Sequence, residues 1–167
     1  AREREGKLDR ELVRRMGELG LIAPELPEAF GGLGVDCVPT GLIVEAIAAA
    51  DFNVAYVQLL GSLIGALLAA HGRPEIVEPV VRAVCEGREL LALGLTEPGA
   101  GSDAANLTLK AHRSQTGYVL RGEKTSISLA DQADNIVVFA RTGTVEERAR
   151  GVSAFLVPMT AQGITCS

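Results

Sequence analysis

The chain has no tryptophan, and aromatic residues of every kind make up only 4% of its 167 residues. A core built without large rings must come from leucine, isoleucine, valine and alanine. Apolar residues at 47% supply enough of them for one ordinary domain or two small ones. Surplus positive charge is missing too. The formal net charge of −5 argues against the basic footprint of a nucleic-acid-binding surface. Cysteine is scarce: Cys37, Cys85 and Cys166 are odd in number and far apart, with no CxxC pair and no Cys/His cluster. That pattern supports neither a metal site nor a disulfide framework. Each cysteine reads as a small buried apolar residue in a reducing compartment. No signal or transit peptide is visible. The opening AREREGKLDREL is a charged helical stretch that begins in mid-helix without a capping residue, so we expect the chain to be cut there.

What is present divides into two kinds of pattern. Residues 8–20 read as an amphipathic helix with Leu12, Met16 and Leu19 on one face and Gly20 as its stop. LIAPELPEAFGGLGVD is a structured loop. Thr40 is placed to cap a helix over 41–50, with Leu42, Ile43, Ala46 and Ile47 on its apolar side. Residues 53–70, NVAYVQLLGSLIGALLAA, are almost wholly apolar. A membrane span is the rival reading, but Asn53, Gln58 and Ser62 interrupt the run and no basic flank lies close to its ends. We therefore expect a helix buried on all sides within a bundle and no membrane span. Pro74 starts another helix, running to about Gly87.

Beyond residue 88 the period changes. AHRSQTGYVLRGEK predicts a hairpin around Gln-Thr-Gly, and NIVVFART and GVSAFLVP predict further strands, separated by the charged loop TVEERAR. The expected class is α+β. An all-α domain over 1–88 precedes an antiparallel barrel- or sandwich-like β-domain over 89–167. The last strand would leave an open edge, so we expect a cut at this end as well.

At the junction stands TEPGAGSD, residues 96–103, after the apolar run LLALGL. Glycine at 99 and 101 allows a backbone to approach a ligand closely. Flanking hydroxyls and a carboxylate exceed what a surface turn requires. Together with MGELGLIAPELPEAFGGLGVD, HGRPEIVEPVVRAVCEG, YVLRGEKTSIS, ADQADNIVVFART and GVSAFLVP, in this order, the octet resembles the acyl-CoA dehydrogenase family over essentially the whole chain.

The resemblance implies a three-part unit: an N-terminal helical domain, a middle β-domain and a C-terminal helical bundle. That unit holds FAD and oxidises an acyl-CoA thioester to the 2,3-enoyl-CoA. By that comparison this chain lacks its first helix, the end of the β-domain and the bundle. It also implies a flavin cradle from Leu93, Gly94, Leu95, Thr96, Gly101 and Ser102 on one segment and Ser126, Ile127 and Ser128 on another. Thr96 would aim a hydroxyl at the flavin edge where negative charge accumulates as the hydride arrives. Ser102 would lie near both pyrophosphate and substrate, and no lysine would be close to the pyrophosphate. Ser128 would stand near N5. Glu97 reads as a partner for local backbone. Ser126 departs from the family, which usually carries Trp or Phe there. The loss removes about 1 kcal/mol or more of ring packing and opens space beside the flavin. The following family Asn is Leu129.

Tyr56, Leu59, Leu60 and Leu63 are the expected acyl-pocket residues, alongside Ser102. The family's catalytic base is a carboxylate of the C-terminal domain, so no catalytic residue is expected in this chain. Glu45 is the weak alternative, and His71 and His112 read as structural. No metal is expected. The resemblance further implies an acyl-CoA substrate, an electron-transfer flavoprotein as acceptor, homo-oligomers of the full-length protein, and a bacterial cytoplasmic location with the mitochondrial matrix as alternative. Alternatives to the dehydrogenase are a flavin oxidase or monooxygenase of the same fold, and a flavin-free scaffold.

Overall fold

Aspartate side chains start three of the four helices in residues 6–167, which a computed structural model describes. Asp9 caps α1 (Arg10–Glu18), accepting from the backbone N–H of Glu11 at 2.9 Å. Asp36 caps α2 (Cys37–Ala50) through the N–H of Val38 at 2.9 Å, and Asp51 caps α3 (Phe52–His71) through that of Asn53 at 3.0 Å. Each such cap is worth about 1 kcal/mol. Two expectations are corrected here. Thr40 is not a cap: it lies inside α2, and its hydroxyl donates back to the Asp36 carbonyl at 3.0 Å. Residues 6–9 are not helical, so α1 starts later than expected; residues 1–5 of the charged opening lie outside the described residues.

α1 ends as Gly20 predicts. The Gly20 N–H reaches the Gly17 carbonyl and the Leu21 N–H reaches that of Met16, both at 2.9 Å. Its core face is Val13 and Met16; Leu12 is half-buried and Leu19 is exposed, contrary to the expected stripe. α4 (Pro74–Cys85) begins with proline at a position where the missing N–H costs nothing. α1 and α4 meet through glycines, since a Cβ on Gly17 would strike the Glu86 backbone and one on Gly87 the Val13 carbonyl.

Two compact units result. The first takes the chain up to Leu91 together with Asp131–Asp134. The short return segment is held by Leu8 N–H donating to Gln132 Oε1 at 2.7 Å, by the Arg10–Asp134 ion pair at 2.9 Å, and by Leu90 N–H donating to Asp134 Oδ2 at 2.7 Å. Here α2 packs on α3 and α3 on α4. Ile22, Ile64, Val13 and Val81 are fully buried, each worth roughly 1.5–3 kcal/mol.

α3 is long and apolar enough to cross a bilayer by length and composition. Its interruptions are used inside the unit: buried Gln58 donates to Ser62 Oγ at 3.1 Å, and Ser62 donates to Glu25 at 3.0 Å. The expectation of burial on all sides fails, because Phe52, Leu59 and Leu63 are exposed. α2 likewise buries no residue completely, and its Leu42 and Ala46 are exposed. Of the cysteines only Cys85 is buried; Cys37 and Cys166 are exposed, against expectation. Burial, reinforced by the charges of Glu25 and Glu86, pushes the Cys85 thiol up to about 11.

The second unit takes Ala92–Ala130 and Asn135–Ser167. Its sheet has β1 (Leu91–Gly94), β4 (Asn135–Arg141), β2 (Lys110–Arg113) and β3 (Tyr118–Arg121) in that order, with β5 (Val152–Pro158) paired to β4. β2–β3 and β4–β5 are antiparallel, while β2 and β4 run parallel at the single pair Lys110–Arg141, so the sheet is mixed. The hairpin uses one side of β2. The chain then returns from the end of β3 to the other side, which delivers β4 in the same direction as β2.

Candidate functional site

The TEPGAGSD segment leaves β1 at Gly94, which is buried under Ile136 and Val138. Glu97 and Ala100 then bond each other's backbone, at 3.0 and 3.1 Å, closing the Pro98-Gly99 turn. The KTSIS segment follows β3. Main-chain contact joins the two: the Thr125 N–H donates to the Thr96 carbonyl at 3.0 Å. The structure therefore brings together the segments 93–102 and 124–128, which lie far apart in sequence.

A buried ion pair reinforces the junction. Lys124 Nζ donates to Glu97 Oε1 at 2.8 Å and to the Leu95 carbonyl at 2.9 Å. Both side chains are almost wholly buried, 5% and 3% exposed. Glu97 also accepts from the Thr108 N–H at 2.6 Å, the Thr108 hydroxyl at 2.7 Å and the Leu109 N–H at 2.9 Å. Burial alone would raise its pKa. The Lys124 ammonium and the Leu109 and Thr108 donors outweigh burial and hold the carboxyl at about 2, so it is ionised at neutral pH. Glu97 thus partners local backbone, as its place in the octet suggests. Its second partner is Lys124, which sequence spacing does not single out.

Arg141 is the other buried charge, 5% exposed. Its guanidinium donates to the carbonyls of Ala105 (2.6 Å), Arg148 (2.9 Å), Thr144 (3.0 Å) and Leu107 (3.2 Å). It ties the segment after the octet to the β4–β5 loop. A fork of fixed donors suits this task better than a single ammonium. Read as sequence, Arg141 is only the polar end of a strand, and nothing singles it out.

The expected cofactor residues fall as follows. Leu93, Leu95, Thr96, Ile127 and Ser128 are half-buried, Gly94 is buried, and Gly101, Ser102 and Ser126 are exposed. No hydrogen bond joins the hydroxyl of Thr96, Ser102 or Ser128 to another described residue. A Cβ on Gly99 or Gly101 would meet no atom of the chain within 4 Å. Glycine there answers no packing demand of the chain itself and leaves the backbone open to an approaching group. Ser126 and Leu129 have left-handed backbone, φ +54° and +61°, which costs a side-chain-bearing residue about 1 kcal/mol. In the helical unit, Tyr56, Leu59 and Leu63 share one face of α3, with Tyr56 edge-on to Phe52 at 5.4 Å, whereas Leu60 is turned into the core. Glu45 and both histidines are exposed. Among the described residues no cluster of His, Cys, Asp and Glu could hold a metal ion.

Residues 1–88 match the acyl-CoA dehydrogenase N-terminal domain and residues 92–167 the acyl-CoA dehydrogenase middle domain. The chain is 32% identical over 164 residues to the caffeyl-CoA reductase-Etf complex subunit CarC of Acetobacterium woodii, covering 98% of this chain and 43% of that protein. It is 34% identical over 154 residues to the human mitochondrial short-chain specific acyl-CoA dehydrogenase, covering 92% and 37%. The butyryl-CoA dehydrogenase of Megasphaera elsdenii superposes with a TM-score of 0.85 at 31% identity, covering 96% of this chain and 43% of that one. A glutaryl-CoA dehydrogenase of Mycobacterium smegmatis in complex with FADH2 gives 0.84 at 28%, covering 95% and 39%. The chain thus spans about 40% of the length of these relatives.

Proposed function

The chain belongs to the acyl-CoA dehydrogenase family, and on that premise we propose that it forms the helical and flavin-cradling part of an FAD-dependent enzyme that oxidises an acyl-CoA to its 2,3-enoyl-CoA. One observation carries the reading. The two segments that the family uses for flavin are bonded to each other here, with the hydroxyls of Thr96 and Ser128 left unspent. The donor set fits FAD: hydroxyls at 96, 102 and 128, open backbone at 99 and 101, and a lysine consumed internally rather than offered to a phosphate. Bound there, FAD supplies the oxidant that accepts the β-hydrogen with its electron pair. Thr96 orients and donates to the ring edge, Ser128 donates at the opposite edge, and Ser102 with the N–H groups of the Gly99–Ser102 turn binds the pyrophosphate. On the helical unit, the α3 face of Tyr56, Leu59 and Leu63 is the proposed apolar surface for the acyl chain. The α-proton would go to a carboxylate that the resemblance assigns to the family's C-terminal domain.

An electron-transfer flavoprotein is the proposed acceptor. Support comes from CarC, a subunit of a reductase-Etf complex. A reducing cytoplasm suits three unpaired cysteines. The test is to purify the intact protein, record flavin absorbance and add butyryl-CoA without oxygen. Bleaching with enoyl-CoA formation supports the proposal, and a colourless protein that takes up no FAD refutes it.

A second reading, a flavin oxidase of the same fold, is favoured by exposed Ser126, where an aromatic would otherwise cover the ring. PigA, solved with FAD and proline, has a TM-score of 0.88 at 27% identity, covering 97% of this chain and 43% of that one. Rapid peroxide formation by the reduced protein in air would establish this alternative.

A further inference from the structure

We infer that the buried Glu97–Lys124 pair is a positioning device for the flavin, setting the gap between its two binding segments and holding Thr96 and Ser128 in register. The inference rests on the flavin reading above. One ammonium grips the chain on both sides of Thr96: its bonds go to the Leu95 carbonyl, one residue before, and to the Glu97 carboxylate, one residue after. The Thr125 N–H adds a third tie, to the Thr96 carbonyl itself. The backbone around Thr96 is held by two charge-assisted bonds, and Lys124 together with the Thr125 N–H ties to it the segment that ends at Ser128.

The anchoring is deep. The Glu97 carboxylate takes donors from Thr108 and Leu109 as well as from Lys124, and so refers the octet to the segment entering β2. A buried ion pair is a poor device for stability alone, because desolvation offsets much of the attraction, whereas its geometry is specific. The Glu97 carboxylate already accepts four hydrogen bonds and the Lys124 side chain is turned inward, 5% exposed, so neither is a catalytic residue. Both act through Thr96 and Ser128.

Because the pair is neutral as a whole, breaking it from either side leaves a buried charge of opposite sign next to the flavin segments. That gives a readout which loss of stability does not mimic. In the intact protein, Glu97→Gln leaves a buried cation and is expected to raise the flavin midpoint potential. Lys124→Met leaves a buried anion and is expected to lower it. Both are expected to weaken FAD binding by roughly tenfold or more, the worth of one charge-assisted hydrogen bond. The double variant should return the potential towards wild type without recovering affinity.

Where either single variant does not fold, Thr108→Val carries the test. It deletes one hydroxyl and keeps both charges, and an affinity loss of about threefold is expected. FAD titration, spectroelectrochemistry and circular dichroism together decide. Folded variants with wild-type affinity, or potentials that move in the same direction, overturn the inference alone. A wild-type protein that takes up no FAD overturns the flavin reading as well.

Discussion

Among the described residues the helical unit buries one polar side chain, Gln58, and keeps its charges at the rim, whereas the sheet unit buries Glu97, Lys124 and Arg141. The difference follows from what each must hold. Helices satisfy their own backbone, so apolar faces and close glycine contacts suffice to pack them. The sheet unit carries long irregular segments, 95–109 and 122–130 with the β4–β5 loop, whose carbonyls and N–H groups have no ladder partner. Buried charges with several donors or acceptors each are an economical way to satisfy such backbone. The candidate site sits on those segments, so the groups that hold the fold there also hold the site.

The strongest way to break this contrast is Arg141→Met. Four carbonyls lose a charged donor at once, for an expected loss of about 4 kcal/mol. Hydrogen exchange should rise in residues 104–107 and 142–151, with α1 to α4 unchanged. Faster exchange spread evenly over both units would dissolve the distinction.

Acid should act on the same unit. The Glu97 carboxyl is held at about 2, below its ordinary value. A depressed pKa stabilises the fold above the unfolded-state pKa, near 4.3, and that contribution is lost as pH falls towards about 2. The amount is on the order of 3 kcal/mol. Stability measured by urea titration should therefore fall between about pH 5 and 2, and Glu97→Gln should flatten that dependence. A Gln variant with the wild-type slope would show that the carboxylate is not held as described.

The helical unit is vulnerable elsewhere. Gly17→Ala drives a Cβ into the Glu86 backbone where α1 meets the end of α4, for an expected loss of about 2 kcal/mol. Exchange should rise in α1 and α4. A neutral effect would mean that the two helices separate without cost.

Where sequence reasoning succeeded and failed follows the same division. Helix ends were legible when one residue decides them, as Gly20 and Pro74 do. The cap of α2 was not, because Asp36 competes with nearby Thr40, a residue of similar capping propensity. The exposed face of α3 was illegible because both of its faces are apolar, so periodicity carries no direction. In the sheet unit the strands were legible from their alternation and turns. Glu97 pointed to local backbone, which its bonds to Thr108 and Leu109 show. Lys124 was hidden as its partner by the residues between them, and the burial of Arg141 depends on loops that converge only in three dimensions.

The smallest effect tests what the site itself costs. Ser126 sits at φ +54° with its side chain exposed. A left-handed serine is strained, and glycine would remove the strain while giving back part of the gain as entropy in the unfolded chain. Ser126→Gly should therefore stabilise the sheet unit by about 0.5 kcal/mol, read as a small rise in the urea midpoint with an unchanged slope. Stabilisation would mean that serine is retained at 126 against the interest of the fold, as strained residues at functional sites often are. Destabilisation would mean that the hydroxyl contributes to the fold directly, and the turn would then belong with the packed interior rather than with the site.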